Sequence, residues 1–236
     1  MSDLLSSVLA AHGGLERWKE LKTGAAMVRS SGELLEKKTP GTTPLRFTVS
    51  LHEQAVSASP VGAEWRSTFR PNHVVIENTN GEVIAERNRP RESFVGHDLD
   101  TKWDPLDRAY FSGYAMWIYL NTPFMFTMPG VRTEEIAPLE QNGESWRGLR
   151  VTLPDGLASH TGVQKFYFGE DLLLRRQDYT LDIAGGCTIA HYVFDHARCD
   201  GLLVPTRRRA YLCDDGYRVL NDRLMIALDL SEIEYR

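Results

Sequence analysis

Residues 103–126 read WDPLDRAYFSGYAMWIYLNTPFMF. Trp103, Tyr110, Phe111, Tyr114, Trp117, Tyr119, Phe124 and Phe126 crowd eight aromatic rings into this one segment. Asp104-Pro105 opens it as a helix start, because an aspartate can accept from the free N–H groups of a first turn and proline suits that turn. Leu106, Tyr110, Gly113, Trp117 and Leu120 then recur three or four apart on one face, and Phe111, Tyr114 and Ile118 line an adjoining face. The apolar arc is too wide for a helix lying on a sheet with its back to water. The helix must be enclosed, and a cavity or a ligand is the natural candidate for whatever else it touches. Asn121 to Gly130, with Pro123 and Pro129 around Phe124, Met125, Phe126 and Met128, reads as an apolar loop that needs cover. Methionine and phenylalanine between prolines suit a deformable lid.

On both sides of this segment the period changes. Leu4, Val8, Ala11, Leu15, Trp18 and Leu21 form a helical stripe that His12-Gly13-Gly14 kinks or interrupts. After Lys22 come β-rich runs at Gly24 to Leu35, Leu45 to Ser57, Ala63 to Phe69, His73 to Thr79 and Glu82 to Asn88, with Asn80-Gly81 a hairpin turn. Beyond the helix, runs resume at Val131 to Ala137, Trp146 to Leu153, Val163 to Phe168, Leu172 to Leu181, Thr188 to Phe194, Val204 to Leu212 and Leu224 to Leu230. Explicit turns separate them, such as Gly169-Glu170-Asp171 and Asp214-Asp215-Gly216. About a dozen short-linked strands with one helical interruption predict a mainly β fold: an antiparallel sheet curled into an unclosed barrel, with an N-terminal helix and an aromatic plug or lid helix. A barrel of that size cannot fill itself with its own side chains, so a plug, a cavity or both is expected. Nothing marks a linker, and residues 1–236 read as a single domain.

Net charge is -5 with a pI near 5.8. Bases and acids are interspersed, which argues against a nucleic-acid partner. Arg87, Arg89 and Arg91, and Arg207 to Arg209, read as strand faces with solvated guanidinium groups, Arg207 and Arg209 sharing one face. Cys187, Cys199 and Cys213 form no C-x-x-C pair, which fits a reducing compartment. The first residues lack the basic start and long apolar run of a signal peptide. Asp104, Asp107, Arg108 and Pro123 break the aromatic stretch, so no transmembrane segment is expected and the expected location is cytoplasmic.

Three stretches carry a resemblance: Ala11-His12-Gly13-Gly14-Leu15 with Trp18, Phe168-Gly169-Glu170-Asp171-Leu172-Leu173-Leu174-Arg175-Arg176, and Asp200-Gly201-Leu202-Leu203-Val204-Pro205-Thr206-Arg207-Arg208-Arg209. In these the chain resembles uncharacterised bacterial relatives of the LolA/LolB-like lipoprotein-carrier superfamily, over nearly its whole length. The resemblance implies an unclosed antiparallel β-barrel around a hydrophobic cavity, helices as plug and lid, and acyl chains as cargo. The motifs are turns and strand starts, so they speak for fold more than for function.

Catalytic signatures are sparse. His160, His191 and His196 stand in none of the zinc-binding spacings, so neither a metal nor another cofactor is expected. His191 and Asp195 would share a strand side and could act as an acid-base pair. His97, Asp98 and Asp100 read as a solvated loop that caps the helix. The expected function is a binding protein for a lipid, acyl or polyketide-like molecule held between the curved sheet and a lid over residues 103–128. The candidate contacts are Trp103, Tyr110, Tyr114, Trp117, Phe124, Phe126, Met128, Tyr167, Tyr179 and His191. One rival is a secondary-metabolism enzyme that uses His191 or Asp98 in the same cavity. The other is an interaction module that docks through the aromatic loop, a homodimer included.

Overall fold

The computed structural model describes residues 3–39 and 43–236. The N-terminal stripe forms two helices, α1 (Asp3–Ala11) and α2 (Leu15–Glu20), divided at the double glycine. Gly13 has a φ of 116°, and a Cβ there would lie 2.4 Å from the Gly201 carbonyl oxygen, so only glycine lets this corner approach the sheet. His12 spans the break, with Nδ1 2.8 Å from the Val8 carbonyl oxygen.

The expected strand from Gly24 to Leu35 is shorter than the sequence suggested. β1 (Thr23–Ser31) ends before Gly32, whose φ of 115° turns the chain into a helix, α3 (Glu33–Lys38). Leu34 and Leu35 are both buried, which two successive residues of a one-sided strand cannot be. Glu33 accepts two hydrogen bonds from Arg223 and fixes α3 against the last strand. The run from Leu45 to Ser57 likewise divides, into β2 (Leu45–Ser50) and β3 (Val56–Pro60). It is followed by β4 (Trp65–Arg70), β5 (His73–Asn78) and β6 (Val83–Asn88). After the helical segment come β7 (Arg132–Gln141), β8 (Glu144–Thr152), β9 (Val163–Phe168), β10 (Leu174–Leu181), β11 (Cys187–Cys199), β12 (Leu202–Cys213) and β13 (Val219–Tyr235).

All thirteen strands of the described residues form one antiparallel sheet, ordered β6-β5-β4-β3-β2-β1-β13-β12-β11-β10-β9-β8-β7. Two meanders therefore meet where the first strand pairs with the last, Gly24 opposite Tyr235 and Ser31 opposite Ala227. The sheet does not close, because β6 and β7 are free edges. Pro138, which cannot donate to a ladder, sits in the edge strand β7 where the register shifts between Ile136 and Leu139.

The chain between the two edges is the aromatic segment, and it enters the concavity instead of bridging the edges with a hairpin. Its helix, α4 (Pro105–Asn121), has 17 residues, most of them buried. Asp104 and Asp107 form a reciprocal capping box at its start. Arg87 from β6 bonds both carboxylates, at 2.5 Å and 2.7 Å, and Ser93 donates to Asp107 at 2.6 Å. Midway, the Trp117 indole donates to the Ser50 and Glu53 carbonyl oxygens.

Four side chains and one backbone amide take up the last-turn carbonyls. Asn121 Nδ2 donates to Trp117 O, Thr122 N and Oγ1 to Ile118 O, Arg208 Nη2 to Tyr119 O, and the Tyr235 hydroxyl to Leu120 O. The Arg208 guanidinium also lies 4.3 Å over the Tyr119 ring.

The helix is pressed against β4. A Cβ built at Gly113 would stand 2.4 Å from Phe69 Cγ and 2.5 Å from Phe69 Cβ. In a solvated helix Gly→Ala adds about 1 kcal/mol of stability. Here Gly113→Ala is expected to reverse that sign and destabilise by about 1–3 kcal/mol through overpacking. Urea unfolding checks this, and an alanine variant as stable as the parent would contradict the contact.

Candidate functional site

The same helix that touches β4 so closely stands away from the strands along its neighbouring face. Arg108 and Ala109, with Ser112 one turn further on, lie there opposite Ala58, Ser67 and Ala85 on β3, β4 and β6. Small side chains on both walls leave a cavity of about 770 Å³, within the roughly 300–1,000 Å³ typical of small-molecule sites. Leu45, Pro60, Ile76 and Trp103 make the rest of its wall mainly apolar. Its rim is apolar too: Val61 is 66% exposed, Ile84 62% and Trp65 37%. A second, small space of about 30 Å³ is lined by Phe47, Phe111 and Met116 among others. Ser30, Leu45, Arg108 and Ser112 border both.

Arg108 Nη2 donates to Ser30 Oγ at 3.2 Å, while Nη1 is shielded from solvent with no partner among the described residues. Burial lowers the guanidinium to about 10, so it keeps its charge at neutral pH. Trp103 is buried with its indole Nε1 also unpartnered. The ammonium of Lys38 stands over its ring, 5.3 Å from the centroid. Lys38 itself is buried and donates to the Asp98 and Thr101 carbonyl oxygens, which holds the loop that delivers Trp103. Asp98 accepts from the backbone of Asp100 and Thr101, and Asp100 pairs with Lys37. That polar loop is solvent-exposed at Asp98 and Asp100, as its sequence suggested, but it does not cap α4, whose cap is Asp104 with Asp107.

Of the ten contacts expected from sequence, Trp103 alone borders the 770 Å³ cavity. Tyr110, Tyr114 and Trp117 fill the core around the helix, where Tyr110 packs on Phe69 and Phe94. The last part of the lid expected over residues 103–128, residues 124–128, is instead a largely buried turn. Phe124 stacks on Trp18 at 5.9 Å and Phe126 meets Phe166 at 4.7 Å, so α2 and β9 supply the cover that this loop required. Met128 is half-buried against the same cluster. Tyr167 and Tyr179 lie on opposite faces of the sheet. Tyr167 pairs in register with Arg176, whereas Phe166, which faces the interior, pairs with Gln177 on the side of Tyr179.

Tyr179 and His191 belong to a closed polar layer beneath the far half of α4. Tyr119 Oη lies 3.0 Å from His160 Nε2, His160 stacks on Tyr179 at 4.0 Å, and Tyr179 Oη lies 3.4 Å from His191 Nδ1. Arg208 adjoins it, and burial lowers that guanidinium to about 10. Burial also pushes the His160 imidazole down to about 3 and holds His191 well below its ordinary value, so both rings are neutral at pH 7.

The expected His191–Asp195 pair is not assembled. Asp195 adopts a φ of 56°, which breaks the alternation of β11, and its carboxylate faces outward to Arg207 at 3.0 Å. Among the described residues, no group of three or more His, Cys, Asp and Glu could hold a metal ion. No described helix is long and apolar enough to cross a membrane.

Arg208, read from the sequence with its neighbours as solvated, is instead buried, and Arg108 carried no expectation as a site residue, although each left a signal. Arg207 and Arg209 on one strand face require Arg208 on the other, which is the buried one. Arg108 stands four residues before Ser112 on the helix face that carries small residues rather than rings.

No protein-family model matches the chain, and neither does any curated protein. Solved structures do. A DUF1329 family protein from Desulfovibrio piger superposes with a TM-score of 0.54 at 10% identity, covering 98% of this chain and 91% of that one. A LolA superfamily protein from Nitrosomonas europaea superposes with a TM-score of 0.50 at 11% identity, covering 94% and 91%. The likeness shows the fold: a LolA-like unclosed barrel with its helix inside.

Burial of His160 has a measurable consequence. Below its ordinary 6.5 the unfolded chain takes up a proton that the folded imidazole refuses until about pH 3. Stability therefore falls as pH drops through that window, by up to ~1.4 kcal/mol per pH unit from this residue. Between pH 7 and pH 5, His160→Gln should lose about 2 kcal/mol less than the parent. Equal losses in urea melts at the two pH values would contradict the neutral buried ring.

Proposed function

We propose that this protein binds one hydrophobic small molecule, of lipid, acyl or polyketide-like class, between the first half of α4 and strands β2 to β6. The observation that carries this reading is the cavity of about 770 Å³, apolar along most of its wall and ringed at its mouth by exposed Val61, Trp65 and Ile84. Apolar side chains left in contact with water at a concave rim mark binding grooves. Burying an alkyl chain there contributes about 0.8 kcal/mol per methylene, several kcal/mol for a long chain, which leaves useful affinity after ordering costs.

The LolA-like fold supports the reading, since an unclosed sheet around one helix leaves an interior that side chains need not fill. The aromatic rings that suggested a ligand wall serve a different purpose in it. They fix α4 against β4 and the far strands, and so keep the small-residue face of the helix at a set distance from β3 and β6. The proposed wall is thus Trp103 to Ser112, not the stretch that follows Pro123.

Ala109 lines the cavity from α4. Ala109→Trp should fill the space, weaken binding of the neutral apolar dye Nile red at least tenfold, and leave the melting temperature unchanged or raised. Fluorescence titration of parent and variant checks this. Undiminished dye binding by the folded variant would place the hydrophobic site elsewhere.

A further inference from the structure

Two residues of this apolar wall carry hydrogen-bond donors that the fold does not use. Arg108 Nη1 and Trp103 Nε1 are both shielded from solvent and unpartnered among the described residues, and both residues border the cavity. A guanidinium in such a place is costly unless an anion meets it. Acids stand close in the chain, Asp104 one turn earlier and Asp107 next to Arg108, yet both are engaged by Arg87, and Asp107 also by Ser93. Arg108 has no ion pair of its own among the described residues, only the hydroxyl of Ser30 at 3.2 Å. A methionine or leucine would occupy the same volume without the desolvation penalty. Arg108 borders both the large cavity and the small one, and so do the hydroxyl-bearing residues Ser30 and Ser112.

We infer that the occupant is an anionic amphiphile, a long apolar chain ending in a carboxylate or a phosphate, with its head at Arg108 and its tail toward Val61, Trp65 and Ile84. This rests on the hydrophobic-binding reading above and adds the head group and its direction. The Arg108 guanidinium with the hydroxyls of Ser30 and Ser112 beside it supplies donors for an oxyanion, and the charge-assisted pair with Arg108 is the strongest of these contacts. A neutral chain of the same length would gain the apolar contacts but leave the guanidinium unpaired.

The test is calorimetric titration of dodecanoate, dodecyl phosphate and dodecan-1-ol, each below its micelle-forming concentration, into the native protein and into Arg108→Met. The native protein should bind at least one of the two anions tenfold or more tighter than the alcohol. The preferred anion tells a fatty-acid carboxylate from a phospholipid-type phosphate. Arg108→Met should bring that anion to the alcohol's affinity, leave the alcohol unaffected, and melt at a higher temperature than the ligand-free parent.

Equal binding of anions and alcohol by the native protein would overturn the head-group assignment while the hydrophobic site stood. Failure of all three chains to bind would overturn the hydrophobic-binding reading itself. A variant that melts well below the parent would show that Arg108 serves the fold, and would equally overturn the assignment.

Discussion

A helix enclosed by protein cannot leave its terminal carbonyls to water, and α4 ends deep inside the sheet. Each unmet carbonyl there would cost roughly 1–3 kcal/mol. The last turn finds its partners in Asn121 and Thr122 of its own chain segment, in Arg208 on β12 and in Tyr235 on β13. The latter two come from the strands at and next to the seam where the two meanders join. The sheet must curl far enough to bring that seam under the end of the helix, so the helix terminus sets the curvature as much as the sheet positions the helix. At the other end, Arg87 on the free edge β6 holds the capping box. The plug is thus pinned at both ends, to the seam of the sheet and to its edge.

A pinned helix can afford an incomplete interface. Gly113 brings α4 into direct contact with Phe69, whereas Ala109 and Ser112 line the cavity together with Ala58 and Ala85. The cavity is therefore not a packing failure at a loose element. Its size is set by a helix whose axis cannot shift inward without breaking hydrogen bonds at both ends. Rigid walls of this kind favour a preformed site, which reduces the ordering cost of a ligand.

Much of the architecture was legible in the sequence because it follows from local periodicity. Strand alternation, the Asn80-Gly81 hairpin and the Asp104-Pro105 helix start all depend on neighbours a few residues apart. The over-long strand before Leu35 shows the limit: β-rich composition continued past Gly32, and only the burial of adjacent Leu34 and Leu35 against β13 decides for a helix. The site was less legible for a plain physical reason. Large rings advertise burial, and they fill the core that their bulk creates. A cavity forms where residues are small on two facing walls, and Ala58, Ala85, Ala109 and Ser112 become a set only once the strands are in register. The same holds for Asp195, whose left-handed backbone, invisible in a strand-like run, turns it away from His191.

The most direct test of a ligand site between α4 and β2 to β6 is photo-crosslinking. A long-chain carboxylic acid bearing a diazirine near the end of its tail is bound, irradiated and located by peptide mass spectrometry. Labelling confined to the residues around Pro60 to Trp65 and Ile84 is the predicted result, because the tail would emerge at that rim. Label concentrated on the Phe124 to Met128 turn or around Tyr167 and Tyr179, with the rim unmodified, would contradict it.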